Sequence, residues 1–447
     1  MLHQFRHAEP SAREVAGAPR LALATAQVAG AYPHFFEGRV HHPRLIADLL
    51  TAVHLIVGAR FFTPANSVAK AIALSDPVVT SGGGLLRFEG FSSCCSAYVR
   101  ADLLPEAYDG QVAGKGTTNV DFNEPMRAAL ARVRDESGLE FAVGREQFEL
   151  RSAGADVIER KVELPTRWIR GMLEVQSYQA RMTRRLEAGA VEALRFFRTL
   201  PKASTSKTPL WIARGASGLY STTRRVEGGV RLTDSTRLKV LHQLLPKANT
   251  LTVYADDDQQ ANAWVLDFGH ARLTLAISAE VWRGFSGEGQ ALWALLQAEQ
   301  GAVGTSLALV RAQLQWQAAL DAQALASQLG VAPAVVADVL RVLGASGLAG
   351  FDVHAGSYFH RVLPFDLSLA DELHPRLVDA RALVEAGAAR VVRPEPFEAD
   401  VTSGEVAYRV REVEGELRCT CPWFAKHQGE RGPCKHVLAA ATQREAR

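Results

Sequence analysis

Near the C-terminus, Cys419, Cys421, Cys434 and His436 stand in the order CxC, twelve residues, CxH. Three thiolates and one imidazole are a donor set for tetrahedral zinc, which takes four soft or borderline ligands at about 2.0–2.3 Å. A full protein set leaves no coordination position for water, so the pattern points to a structural Zn2+ ion and away from catalysis at the metal. The plain alternative is that these residues are gathered by chance or for packing, and it has to explain the paired spacing. His427 lies mid-spacer as a candidate replacement ligand and reads more simply as a surface residue. The chain has only five cysteines, three of them here, which suits a metal site in a reducing compartment rather than a disulfide framework.

Other residue groups carry weaker chemistry. Cys94 and Cys95 in FEGFSSCCSAY are candidate nucleophiles, but no positioned His/Asp partner accompanies them, and buried core cysteine is the simpler reading. Asp256, Asp257 and Asp258 could hold a hard cation, yet such a run between two strand candidates is more simply a solvated turn. Gly82, Gly83 and Gly84 lack the GxGxxG spacing and the following helix of a phosphate-binding loop.

The elements that must position the thiols can be read around them. Val406, Tyr408 and Val410 alternate with polar residues as a strand, Glu414-Gly415 turns the chain, and Leu417 and Cys419 continue a second strand that Pro422 ends. From Lys435 the run HVLAAATQREAR reads as a helix, so Cys434 and His436 enter from its first turn. The result is a ββα unit too small for a core of its own, which therefore needs zinc to fold. This arrangement resembles the SWIM zinc finger family, matching its CxC…CxH signature at Cys419, Cys421, Cys434 and His436 over roughly the last 40 residues. The resemblance implies binding to DNA or to protein. Arg418, Lys426, Arg431, Lys435, Arg444 and Arg447 outnumber Glu416, Glu430 and Glu445 here, but three thiolates on Zn2+ leave the finger only mildly basic.

Further upstream, Leu200-Pro-Lys-Ala-Ser-Thr205 recurs as Leu245-Pro-Lys-Ala-Asn-Thr250, an offset of 45 residues. In the second copy the expected order is a strand at 230–233, a helix at 235–245 and strands at 250–255, 263–268 and 271–277. The same order is expected around helices at 190–200, at 124–133 with Asn123 as cap and Pro125 in the first turn, and at 65–74. Four βαβββ units in two pairs resemble the DNA sliding clamp fold, in which helices line a basic inner surface. Arg127, Arg132, Arg134, Arg195, Arg198, Lys202, Arg237, Lys239 and Lys247 fall on these helices, although charge on a helix is usually its solvated face.

Residues 321–365 read as a winged helix, with Ala326, Gly330 and Val336 where the motif needs a small residue, a turn glycine and a core aliphatic. Its would-be recognition helix, PAVVADVLRVLG, offers only Asp338 and Arg341 for reading bases, so protein docking is the better expectation. His360 and Arg361 on the wing could touch phosphate, although a histidine beside Tyr358 and Phe359 is more often packed.

At 447 residues and a formal charge of +2, the chain has room for about three domains and no polycationic field. The start lacks a continuous apolar core, so a cytoplasmic protein away from the membrane is expected. The full expectation is an α+β multidomain chain. A disordered N-terminus at 1–18 precedes two clamp-like repeat pairs at 19–165 and 166–285, then a winged-helix-like region at 286–388, a linker at 389–398 and the finger at 399–447. Through RFEGFSSCCSAYVRADLLP, GTTNVDFNEPMRAAL and GSYFHRVLPF, the whole chain resembles bacterial SWIM-domain proteins commonly encoded beside MoxR-type AAA ATPases and von Willebrand A proteins. That resemblance implies an adaptor with those two proteins as partners. The function expected first is a non-enzymatic, zinc-dependent DNA- or protein-binding adaptor. A sequence-specific DNA-binding regulator comes next, and a hydrolase with an unrecognised centre last.

Overall fold

The computed structural model describes residues 34–62, 77–111, 115–119, 122–144, 147–152, 155–160, 164–202, 208–287, 289–298, 300–363 and 373–445. The segment expected as disordered, 1–18, and the helix expected at 65–74 lie outside them. The fold is mixed α+β.

The first half runs β1 (His34–Val40), α1 (Pro43–Gly58), β2 (Val78–Gly82), β3 (Leu85–Phe91), β4 (Ala97–Leu103), β5 (Tyr108–Gln111), β6 (Gly116–Asn119), α2 (Glu124–Arg132), β7 (Glu140–Gly144), β8 (Gln147–Ser152) and β9 (Ala155–Arg160). Helix α1 buries Leu45, Ile46, Leu49, Leu50, Val53, Ile56 and Val57, the one-sided spacing of an amphipathic helix. Helix α2 starts as expected, because the Asn123 side chain accepts from the Met126 amide at 3.1 Å and Pro125 occupies the first turn.

After α3 (Thr166–Gln179) come β10 (Thr183–Gly189), α4 (Ala190–Thr199), β11 (Leu210–Gly215), β12 (Gly218–Thr222), β13 (Val230–Leu232), α5 (Lys239–Leu244), β14 (Thr250–Ala255), β15 (Ala261–Asp267) and β16 (Ala271–Ser278). Of the helix expected at 235–245, only α5 is α-helical; tighter 3-10 turns flank it at 235–238 and 245–247. The two halves share an eight-stranded antiparallel sheet, in the order β10-β14-β15-β16-β4-β3-β2-β6. Strands β16 and β4 join them, in register from Ala271 opposite Leu103 to Ile277 opposite Ala97. The remaining strands form a five-stranded sheet, β5-β1-β7-β8-β9, and a three-stranded one, β12-β11-β13.

One face of the large sheet meets α1, which lies against β3 and β4 and also touches α2 and α5. The opposite face is unusually polar. In register across six strands run Asp267, Arg272, Asp102, Arg87, Thr80 and Thr117. A strand face reading Arg87, Glu89 and Arg100, Asp102 suggests exposure by its alternation, yet all four are buried. They are covered by the segment that follows.

That segment comprises α6 (Ala291–Gln297), α7 (Gly301–Ala312), α8 (Ala322–Leu329), α9 (Pro333–Ala345) and the hairpin β17 (Ala349–Asp352) to β18 (Ser357–His360). Helices α8 and α9 meet at a bend of 116° around Gly330, whose φ of +66° suits glycine. Ala326 and Val336 are buried where expected. The hairpin docks on the polar sheet face through ions. Arg100 Nη2 meets Asp352 Oδ1 at 3.0 Å, Arg87 Nη2 meets Asp352 Oδ2 at 3.5 Å, and Arg361 pairs with Glu89. The Phe359 ring receives the Arg87 guanidinium at 3.6 Å from its centroid. Burial by itself would raise the Asp352 and Glu89 carboxyls, but the arginines beside them overcome it and hold both below the usual carboxylate range.

The C-terminal unit corrects two expectations. Residues 389–398 do not form a free linker, because Ala389–Arg393 is a strand, β19, paired with β20 (Glu398–Ser403). With β21 (Val406–Val413) and β22 (Glu416–Cys419) they make a four-stranded sheet, so the unit is larger than ββα. The helix Pro375–Glu385 and the last helix, Lys435–Glu445, pack together and against this sheet. Phe397, Ala399, Val401, Val410, Val437 and Leu438 form its core, and Leu292 and Leu296 of α6 belong to the same cluster. The C-terminal core is therefore completed by α6.

Candidate metal centre

Each donor sits at an element boundary. Cys419 ends β22 opposite Val410. Cys421 caps the short helix Pro422–His427, its Sγ accepting from the Phe424 amide at 3.3 Å. Cys434 precedes the last helix and accepts from the Val437 amide at 3.4 Å, while His436 lies in that helix's first turn. Cys419 Sγ accepts from the Cys421 amide at 3.4 Å. These amides and helix N-termini favour negative sulfur.

The four donor atoms lie within 4.8 Å of one another, and all four residues are buried. With Zn–S bonds of about 2.3 Å, a tetrahedral shell separates its sulfurs by about 3.8 Å, so the set needs only slight contraction. His436 Nε2 is buried and has no hydrogen-bond partner among the described residues, and the Tyr408 ring lies 4.5 Å from the imidazole. Without a cation the site resists charge. Its hydrogen bond with Cys419, and then burial, push the Cys434 thiol up to about 12, and burial chiefly raises Cys421. A divalent cation must displace those protons, and the sulfurs it receives are already oriented by backbone amides. The residues fit a metal: Cys419, Cys421, Cys434 and His436 would hold it in a closed Cys3His shell. His427 stays outside the group, its ring 4.8 Å from Trp423.

The spacer between the two ligand pairs is clamped to the rest of the protein. Arg283 Nη1 meets Glu430 Oε2 at 3.1 Å, Arg431 donates to the Gly287 carbonyl, and Arg376 Nη1 donates to the Arg431 and Pro433 carbonyls, both at 2.9 Å. At Gly432, φ +75°, an added Cβ would lie 2.2 Å from the Gly289 oxygen, so only glycine permits this approach. Arg283 and Arg376 lie far from the ligands in sequence, and no spacing rule links them. Several finger cations that seemed available are engaged internally: besides Arg431, Lys435 meets Asp379 at 3.3 Å and Arg444 meets Glu412 at 3.0 Å.

The other sequence candidates resolve differently. Cys95 is buried and burial pushes its thiol up to about 11. Burial would also raise half-buried Cys94, but hydrogen bonds from Ser96 and Ser92 overcome it. Asp256 is buried and accepts from the Gln260 and Ala261 amides, a turn builder rather than a cation ligand. Gly82 to Gly84 make the β2–β3 turn, pressed against Trp316 and Ala318. On the wing, phosphate contact is excluded because Arg361 is fully buried and His360 Nδ1 accepts from the Trp316 amide at 2.7 Å. Arg237 is likewise no surface cation: it is buried and donates to the Ser278 carbonyl at 2.7 Å and to Thr233 Oγ1 at 2.9 Å.

The SWIM zinc finger family model matches residues 405–445. That stretch holds all four donors, and β19 and β20, which complete the four-stranded sheet, lie upstream of it. No curated protein matches the chain. Among solved structures, Proliferating Cellular Nuclear Antigen from Entamoeba histolytica is similar at 10% identity and a TM-score of 0.35, over 55% of this chain and 98% of its own. A DnaN sliding clamp from Bartonella birtlesii, bound to griselimycin, is 12% identical at a TM-score of 0.35, over 55% of this chain and 66% of its own. A. fulgidus PCNA with the C-terminal region of FEN-1 is 10% identical at 0.36, over 54% of this chain and 97% of its own. With TM-scores this low, none of the three bears on what this chain does. Among the described residues, no single helix is long and apolar enough to cross a membrane.

Proposed function

We propose that this chain is a cytoplasmic, zinc-binding, non-enzymatic protein that acts as a binding platform for DNA, protein, or both. The observation that carries the reading is the enclosed Cys3His group, whose four buried donors would complete a zinc shell and leave no position for a substrate. A metal of this kind holds a surface in shape.

DNA is supported by the helical side of the large sheet, where Arg127, Arg132, Arg195, Arg198, Lys202 and Lys239 are exposed. The reading as a sequence-specific regulator loses support. Helix α9 is packed by α3, α6, α7, α8 and β17, and its one exposed ion, Arg341, pairs with Asp338. A protein-docking winged helix is the role that suits this unit. The family resemblance adds a MoxR-type AAA ATPase and a von Willebrand A protein as candidate partners, which co-purification from native extract tests.

The decisive measurement pairs metal analysis with binding. One zinc per chain, and duplex binding that weakens with salt and with Arg195→Ala/Arg198→Ala, is the expected result. Metal-free protein with an intact C-terminal fold would defeat the zinc reading.

A further inference from the structure

The sheet of the SWIM unit has two unlike faces. One carries Val401, Val410 and Cys419 towards the core and the metal ligands. On the other, two rows run across the strands: Arg390, Asp400, Arg409 and Thr420, then Arg393, Glu398, Arg411 and Arg418. With Glu414 and Glu416 at the hairpin end, this outer face sets five arginines against four carboxylates.

The carboxylates are not shared evenly. Asp400 takes Arg409 through two contacts, at 2.7 and 3.0 Å, and Glu398 takes Arg409 at 2.9 Å and Arg393 at 2.7 Å. Among the described residues, Arg390 and Arg411 have no carboxylate partner, and Arg418 has only exposed Glu414 at 3.5 Å. Arg411 and Arg418 stand directly opposite each other on β21 and β22. Like charges so placed, with Cβ atoms about 5 Å apart, destabilise a sheet. An anion between them turns that repulsion into a two-pronged grip, and guanidinium matches phosphate oxygens in geometry as well as charge.

We propose that this arginine face, centred on Arg411 and Arg418, grips the phosphate backbone of duplex DNA. The proposal rests on the DNA-binding reading above and assigns it a second contact surface, away from the helical layer. The face holds no aromatic side chain among its described residues, since Tyr408 points to the metal side and lies on His436. It therefore lacks the stacking platform with which proteins hold single-stranded bases. Residue 418 adjoins ligand Cys419, so the metal that fixes the end of β22 also fixes the Arg411–Arg418 pair.

The test is fluorescence anisotropy of a labelled random-sequence duplex with the full chain across a series of NaCl concentrations. Arg411→Ala/Arg418→Ala is expected to weaken binding about ten-fold and to flatten the log–log salt slope by about 2, one unit for each lost phosphate contact. Arg411→Lys/Arg418→Lys should keep the slope, because lysine retains the charge. Zinc content of both variants should match the parent, and neither melting temperature should fall below it.

An unchanged slope and affinity in the alanine variant overturns the proposal. So does tighter competition by polyglutamate than by unlabelled duplex, which would make the partner an acidic protein segment. If only Arg195→Ala/Arg198→Ala weakens the duplex, the arginine face fails and the DNA-binding reading stands. If the parent protein binds no duplex at low salt, both fall.

Discussion

The metal centre and the buried ion network beneath the hairpin both place polar groups in the interior, but they are assembled in opposite ways. The metal centre collects its donors from Cys419 to His436, next to one another in the chain. The network joins Arg361 to Glu89 across 272 residues and Arg100 to the Phe351 carbonyl across 251. The first is a chelate whose geometry follows from local turns and helix starts. The second exists only when two separately formed parts meet, so no local pattern announces it. The two also differ in what sustains them, since an external ion binds the first while the second is neutralised by its own arginines and carboxylates.

That contrast is open to direct attack. Cys434→Ser should have the largest effect, because zinc binding to a small finger supplies about 10–16 kcal/mol. Loss of bound zinc and of the unit's cooperative transition is expected by calorimetry. The remaining protein should keep its own transition, since the metal serves the C-terminal core. If both transitions vanish together, the two regions are not energetically distinct.

Arg361→Met comes next. It leaves Glu89 buried without its ion-pair partner, with the Tyr98 hydroxyl still donating to it, and about 3–5 kcal/mol should be lost in urea unfolding. The double variant Glu89→Met/Arg361→Met should lose less, since no orphan charge remains. A double variant as damaged as the single would mean that packing, and not charge, seats the hairpin.

Acid sharpens the comparison further. Burial lowers the His360 pKa to about 4, and as a neutral ring it accepts from the Trp316 amide. The unfolded chain, titrating near 6.5, binds the proton first, so this contribution is full above that pH and is lost as pH falls towards 4. The loss is at most about 3 kcal/mol. His360→Gln should flatten the pH dependence of urea unfolding over that range, and an unaltered dependence would remove His360 as its source.

The smallest effect belongs to the joint. Glu430 is largely exposed, so Arg283→Ala should cost about 1 kcal/mol or less. Limited proteolysis should nonetheless cut the spacer near Gly429 faster if this clamp orders it.

The sequence by itself determined what lies close along the chain. The donor set, the strands carrying Tyr408 and Cys419, the capped start of α2 and the Gly330 turn could all be read. Each depends on spacing, capping or a backbone angle that neighbouring residues impose. Tertiary structure decided the rest. Residues 389–398 look like a proline-rich connector until Ala389 is seen buried beside the last helix and Phe397 in the same core. Arg87, Glu89, Arg100 and Asp102 alternate as an exposed face would, and only the arrival of Asp352 and Arg361 makes them interior. Arg237 sits on the 3-10 turn just ahead of exposed Lys239, and only its hydrogen bonds to the Ser96 and Ser278 carbonyls in the packed interior take it out of water. Burial is a property of what comes to lie on top of a residue, and that covering segment can be hundreds of positions away.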